Sequence, residues 1–480
     1  MGRIVAALFL GAALLALLPE AGAAETWTRT RLGNGLDVIV AEDHATPFAR
    51  IDLVFRAGGL SQQAATAGHF HVLEHLLLEA GGPSSIAAGV GALVPLSWNG
   101  ETSPESLIFR MKVHAADTAA GIGLWARIPM KEGFTQADVA AAKSVVAAEA
   151  GDQLADPAKL YEAAMTKQLF PKYPWRRDPT GSPASVAAAD AESLLRLKNA
   201  WLVPGNATLV VVGDVDAAAV LATAKTAFAS WPAAASPWKT PLPPQPKLGA
   251  GRPTWFFLPD PSVPEGLALA EIRYRGPDLA TDATSSLAAD LWTYLLGVPE
   301  GRFGKAMAKA LPFLHAPDTL RVTHVSQRDG ALLSIYAALD IEKPGLLLSR
   351  VRAFKETFRG NEILAMRTDP GYFSAAELDA ARACLLADRK AALESVDGRA
   401  AEIDFALTSA DADWYLDLDT KVAALGLKDV VAVVDNWILR NLEVVALRLN
   451  PADYDRESRF LVDGGFDALK PLSAFWWQGR

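Results

Sequence analysis

The sequence predicts an α+β protein of two related halves, each an antiparallel-rich sheet with helices packed on one face. Three observations carry this prediction. Strand-like and helix-like runs follow one another in blocks, and the series runs through twice. A proline-rich stretch between Trp231 and Pro253, "WPAAASPWKTPLPPQPKLGAGRP", separates the two series, and proline breaks both helices and sheets. The chain has 480 residues, 51% of them hydrophobic and 21% charged, which is globular in composition and too long for a single core. The expected layout is an export signal over 1–23, a first half over 25–230, a semi-rigid linker over 231–253 and a second half over 254–480.

The N-terminus carries Arg3, an apolar run from Ile4 to Leu18, Pro19, and small residues at Ala21 and Ala23. That run is shorter than the ~20 residues a bilayer-spanning helix needs, and Ala21 and Ala23 form an A-x-A-like cleavage site. A signal cleaved near Ala23 and Ala24 is therefore expected, with no stable membrane anchor and a periplasmic or secreted destination. "RLGNGLDVIV" reads as a hairpin, because Asn34-Gly35 is a tight-turn dipeptide before a β-rich run. "FARIDLVFRAGG" nearly alternates, with Ile51, Leu53 and Phe55 on one face and Arg50, Asp52 and Arg56 on the other, as in a half-buried strand. The helix-like "GHFHVLEHLLLEAGG" follows, then a strand in "ESLIFRMKV", an alanine-rich helix around Asp138 to Asp152, more helix to about Trp201 and the strand "ATLVVVGDVD". After the linker the order starts over with "LALAEIRYRGP", "DATSSLAADLWTYLLG", "GALLSIYAALD", "SAAELDAARACLLADRKAALE" and "NLEVVALRLNP".

A net charge of −9 argues against nucleic-acid binding, which needs a basic surface. The one cysteine, Cys384, has no partner, so packing rather than disulfides must hold the fold. It reads as a small buried apolar residue of its helix.

Three of the seven histidines fall between Gly68 and Gly82. On a helix His71 and His75 project side by side one turn apart, and Glu74 lies on the other flank of His71. The three side chains share an arc of about 100°. Two imidazoles at this spacing suit zinc, and the carboxylate beside them can take a proton from water that the metal has acidified. Chance predicts only about 0.005 such patterns in this composition. His69 points about 200° away from His71 and is expected to cap the helix or support the site from behind. Two histidines leave the site short of one ligand. Glu79, Glu101, Glu105, Glu132 and Glu149 are all candidates; Glu79, one turn after His75, diverges too far on a straight helix to close a tetrahedron.

"AGHFHVLEHLLLEAGG" resembles the inverted zinc motif His-x-x-Glu-His of the M16 peptidases, the family of pitrilysin, insulysin and the mitochondrial processing peptidase. "LGNGLDVIVAED" is similar to the family's opening hairpin and "WNGETSPESLIF" to its asparagine-containing strand. "KSVVAAEAGDQLADP" resembles its third-ligand helix, and "YRGPDLATDATSSLAADLWTYLLG" the start of its metal-free second domain. The resemblance implies two halves closing like a clam around an extended peptide, with zinc on His71, His75 and Glu149 and Glu74 as general base. It also implies that Asn99 contacts the peptide backbone along a sheet edge. Three positions depart from the pattern. Ala142 stands where many members carry a supporting glutamate, and Trp414 and Lys421 stand where many carry an arginine and a tyrosine. Paired members split these parts between chains, so the expected partner is a homologous, zinc-free M16 subunit supplying the arginine and tyrosine. The alternatives are a non-catalytic assembly subunit of the same fold and a peptide-binding protein without metal.

Overall fold

The computed structural model describes residues 27–170, 179–238, 254–298, 301–410, 414 and 416–478. The expected signal over 1–23 lies outside these residues, as does most of the expected linker.

The first sheet contains β1 (Thr28–Arg31), β2 (Asp37–Glu42), β3 (Phe48–Phe55), β4 (Ser97–Thr102), β5 (Leu107–His114) and β6 (Ala207–Gly213) in the order β1-β2-β6-β3-β5-β4. The second contains β7 (Thr254–Pro259), β8 (Leu267–Arg275), β9 (Arg321–Val325), β10 (Leu332–Asp340), β11 (Val444–Leu449) and β12 (Asp467–Ala468) in the order β12-β7-β11-β8-β10-β9. Five positions of the two orders coincide: the last long strand of each half, β6 or β11, pairs parallel with β2 or β7 and antiparallel with β3 or β8. The halves are thus two copies of one topology, and both sheets are mostly antiparallel. At the expected hairpin Gly35 has φ +99°, and the Asn34 carboxamide oxygen accepts from the Leu36 amide. Residues 231–238, at the start of the proline-rich stretch, pack on the first half, where Trp231 is buried against Phe55 and Phe228.

Each half covers one sheet face with its own helices and the other with a helix from the opposite half. The first bridging helix, Pro157–Leu169, sets Leu160, Ala164 and Met165 against Phe256, Leu258, Val444 and Ala446 of the second sheet. The second, Val396–Ser409, sets Val396, Ala400, Ile403 and Leu407 against Ile39, Val54, Val210 and Val212 of the first. That i, i+4, i+7, i+11 spacing is one helix stripe. This overturns the half-buried expectation for β3, whose polar face is covered too. Asp52 is fully buried, accepts from Arg50 Nε at 2.8 Å, and lies under the second bridging helix, whose Asp397 accepts from Lys112 at 2.8 Å. At the other seam Arg273 grips Glu162 through two nitrogens, at 2.6 and 2.8 Å.

Cys384 departs from expectation as well: it is exposed. Its helix, Ala375–Leu393, buries Leu378, Ala381 and Leu385, and Cys384 lies about 100° around the axis from Leu385. No helix among the described residues is long and apolar enough to cross a membrane.

Candidate metal centre

The histidine helix, His69–Glu79, starts where the chain after β3 turns sharply at Gly68. Gly68 has φ +84°, and a Cβ there would stand 2.4 Å from the Thr180 carbonyl oxygen, so only glycine fits. Phe70, Val72, Leu73, Leu76 and Leu77 are buried around nearly the whole helix, as befits a core element. His71, Glu74 and His75 make its one polar strip.

The glutamate helix, Gln136–Ala155, packs against that strip. It begins with a capping box in which Thr135 and Asp138 bond one another's backbone amides. Its buried stripe runs Val139, Ala142, Val146, and the next position on it is Glu149. The Gly81 amide donates to Asp138 and the Lys131 ammonium to the Ala80 carbonyl, which ties the end of one helix to the start of the other.

This brings three ligand atoms together. His71 Nε2 and His75 Nε2 are 3.2 Å apart, His71 Nε2 and Glu149 Oε2 3.1 Å, and His75 Nε2 and Glu149 Oε1 3.6 Å. A tetrahedron with bonds of about 2.05 Å has edges of about 3.3 Å, so the triangle fits one face of a four-coordinate zinc site. It is the one group of three such residues found among those described. Burial, then the neighbouring His75, holds the His71 imidazole down to about 4, which keeps it in the neutral, ligating form. Its Nδ1 is buried with no hydrogen-bond partner among the described residues. Ala142, at the departed position, is a buried core residue and offers none.

Glu74 lies beside the triangle and is 5% exposed. Burial pushes its carboxyl up to about 7, against the pull of a 2.7 Å hydrogen bond from the Thr102 hydroxyl; Glu149 and Glu101 push the same way as burial. A bound cation would draw it down again. Edge strand β4 closes over it: a Cβ on Gly100 would sit 2.7 Å from Glu74 Oε1. Together His71, Thr102, Glu149, Asp152, Gln153 and Thr180 line a cavity of about 440 Å³.

The other candidates go elsewhere. Glu79 is exposed at the helix end, and Glu101 pairs with Arg110 at 2.7 Å. Glu105 is buried at the seam, where the Arg328 and Asp329 amides donate to it. Glu132 is not part of the group. His69 faces away as its spacing requires, bonding the Ser185 carbonyl at 2.9 Å, while the helix N-cap itself is Gly68. Asn99 is exposed on the edge strand, on the sheet face opposite Gly100 and Thr102, and does not line the cavity. Trp414 packs on the second core and Lys421 pairs with Asp417, so neither lines it either. Sequence reasoning missed Thr102, although strand alternation puts it on the same face as Gly100.

Two family models match the chain: "Insulinase (Peptidase family M16)" over residues 37–178 and "Peptidase M16 inactive domain" over 188–383. The chain belongs to the M16 peptidase family. Among solved structures it is similar to a protease from Helicobacter pylori, at 18% identity and TM-score 0.72 over 88% of this chain and 99% of that one. It also resembles the periplasmic protease PqqL from Escherichia coli, at 15% identity and TM-score 0.71 over 97% of this chain and 52% of that one. An M16 inactive domain from Pseudomonas fluorescens matches at 18% identity and TM-score 0.68, over 88% of this chain and 98% of that one. At these identities the likeness is one of fold, and it includes the clam-like pairing of two halves. Comparison with curated proteins finds no match.

Proposed function

We propose that the protein is an exported zinc metalloendopeptidase that hydrolyses extended peptides, working with a homologous zinc-free subunit. The observation that carries this is the His71–His75–Glu149 triangle at tetrahedral edge lengths with the buried Glu74 carboxylate beside it. When bound, zinc supplies Lewis acidity, polarising a carbonyl and making water more acidic. Glu74, held by Thr102, takes the proton from the attacking water and returns it to the leaving amine. Edge strand β4 has an outer side unpaired among the described residues, along which an extended peptide can add as a further strand.

Hydrolysis of a mixed peptide pool, lost on chelation and restored by zinc, tests this reading. A zinc-loaded protein inert toward every peptide, alone and with its partner, would favour the non-catalytic subunit instead. That second reading draws on His71 Nδ1, which has no hydrogen-bond partner among the described residues, and on a metal cavity that no arginine–tyrosine pair lines among those residues. Pairing draws on the same gap among the described residues. Full activity as a monomer would remove it. Export is checked by the N-terminal sequence of the protein recovered from the periplasm, expected to begin near Ala24.

A further inference from the structure

The metal cavity opens beside a second one of about 450 Å³, and Gln153, Lys159 and Pro179 line both. The second cavity is of different chemistry. Its walls include Leu60 and Ala163 from the first half, Leu332 of β10, and Phe475 and Trp476 from the end of the chain. The aromatic wall is held in place. Phe475 stacks on Trp477 with centroids 4.5 Å apart, and Trp476 meets the same ring edge-on at 5.5 Å. Lys167 of the first bridging helix, itself buried, donates to the carbonyls of Ser473, Phe475 and Gln478 at 2.8, 3.1 and 3.0 Å. The acidic residues around the cavity are engaged, Glu162 by Arg273 and Asp329 by Arg328.

An apolar space of about 150 Å³ is enough to bind benzene, and this one is roughly three times larger. A peptide extended across the metal turns successive side chains to opposite faces at ~3.3 Å per residue, so one near the cut bond reaches a cavity next door. We propose that this second cavity is the specificity subsite: it takes one large apolar side chain, aliphatic or aromatic, from a residue within two positions of the scissile bond. The proposal rests on the peptidase reading and assigns the C-terminal Phe475–Trp476 turn the role of subsite wall.

The test uses the full-length protein, after loss of its signal, and peptides identical except for Phe, Leu or Ala at each position flanking the cut. At one position kcat/KM for Phe or Leu is expected to exceed that for Ala by at least ~10-fold. Ala163→Trp, which fills the cavity, and Trp476→Ala, which removes a wall, should each bring that ratio toward one at unchanged zinc content. Two variants are used because either alone could disturb folding. Equal rates for all three peptides at every position, or a preference that survives both variants, would overturn the subsite and leave the peptidase reading standing. If nothing is cut, alone or with the zinc-free subunit, the peptidase reading fails, and Kd values for the same peptides on zinc-loaded Glu74→Gln protein judge the cavity by the same ratio.

Discussion

Glu74 is a carboxylate buried 5% exposed in an apolar helix, and its charged form is tolerable only next to a cation or a reacting water. Glu74→Gln keeps the shape and removes the base, so turnover should fall by about 10²–10⁴-fold while zinc stays bound. An active Glu74→Gln protein would refute that role. His71→Ala should lose metal and activity together, because the remaining pair cannot close a zinc site. At this scale the sequence was informative. The histidine spacing alone placed His71, His75 and Glu74 on one strip and put His69 off it. Five carboxylates competed for the third ligand, however. What separates Glu149 from Glu101 and Glu105 is the register between two helices joined through strands, a tertiary quantity that residue spacing along the chain does not carry.

At the scale of elements, the hairpin, the histidine helix and the repeated strand order followed from turn residues and periodicity. The second burial face of β3 did not, because the helix covering it begins 341 residues after β3 ends. Cys384 failed for a related reason: an alanine-rich helix shows no clear apolar stripe, so its exposed side could not be told from its buried one. Two substitutions test the packing. Ile403→Ala, fully buried at the second seam, should cost about 2–5 kcal/mol in denaturant unfolding, the range for emptying a core site. A loss under ~1 kcal/mol would mean that the bridging helix is not part of the cooperative core. Gly100→Ala puts a methyl group 2.7 Å from Glu74 Oε1, so steady-state kinetics should show kcat reduced by ~10-fold or more, with zinc retained. Wild-type kcat would show that β4 does not press on the base.

Across the whole molecule, the halves are held together by exchanged helices and by titratable groups buried where they meet. Glu105 of the first half accepts the amides of Arg328 and Asp329 from the second, and burial pushes its carboxyl up to about 8. An unfolded glutamate loses its proton near 4.5, so between about 4.5 and 8 the folded protein holds more protons than the unfolded one. Stability should therefore fall as pH rises through that window, by at most about 1.4 kcal/mol per pH unit from this group. Thermal unfolding of Glu105→Gln across the same pH range should show a flatter profile than the wild type; identical slopes would remove Glu105 from the pH response. The central claim is that the first half holds a zinc site on His71, His75 and Glu149. It is tested most directly by the zinc content of the purified protein beside Glu149→Ala and Glu79→Ala. The account predicts about one zinc per chain in the wild type and in Glu79→Ala, and none in Glu149→Ala. A zinc-free wild type, or a Glu149→Ala protein that keeps its zinc, would contradict it.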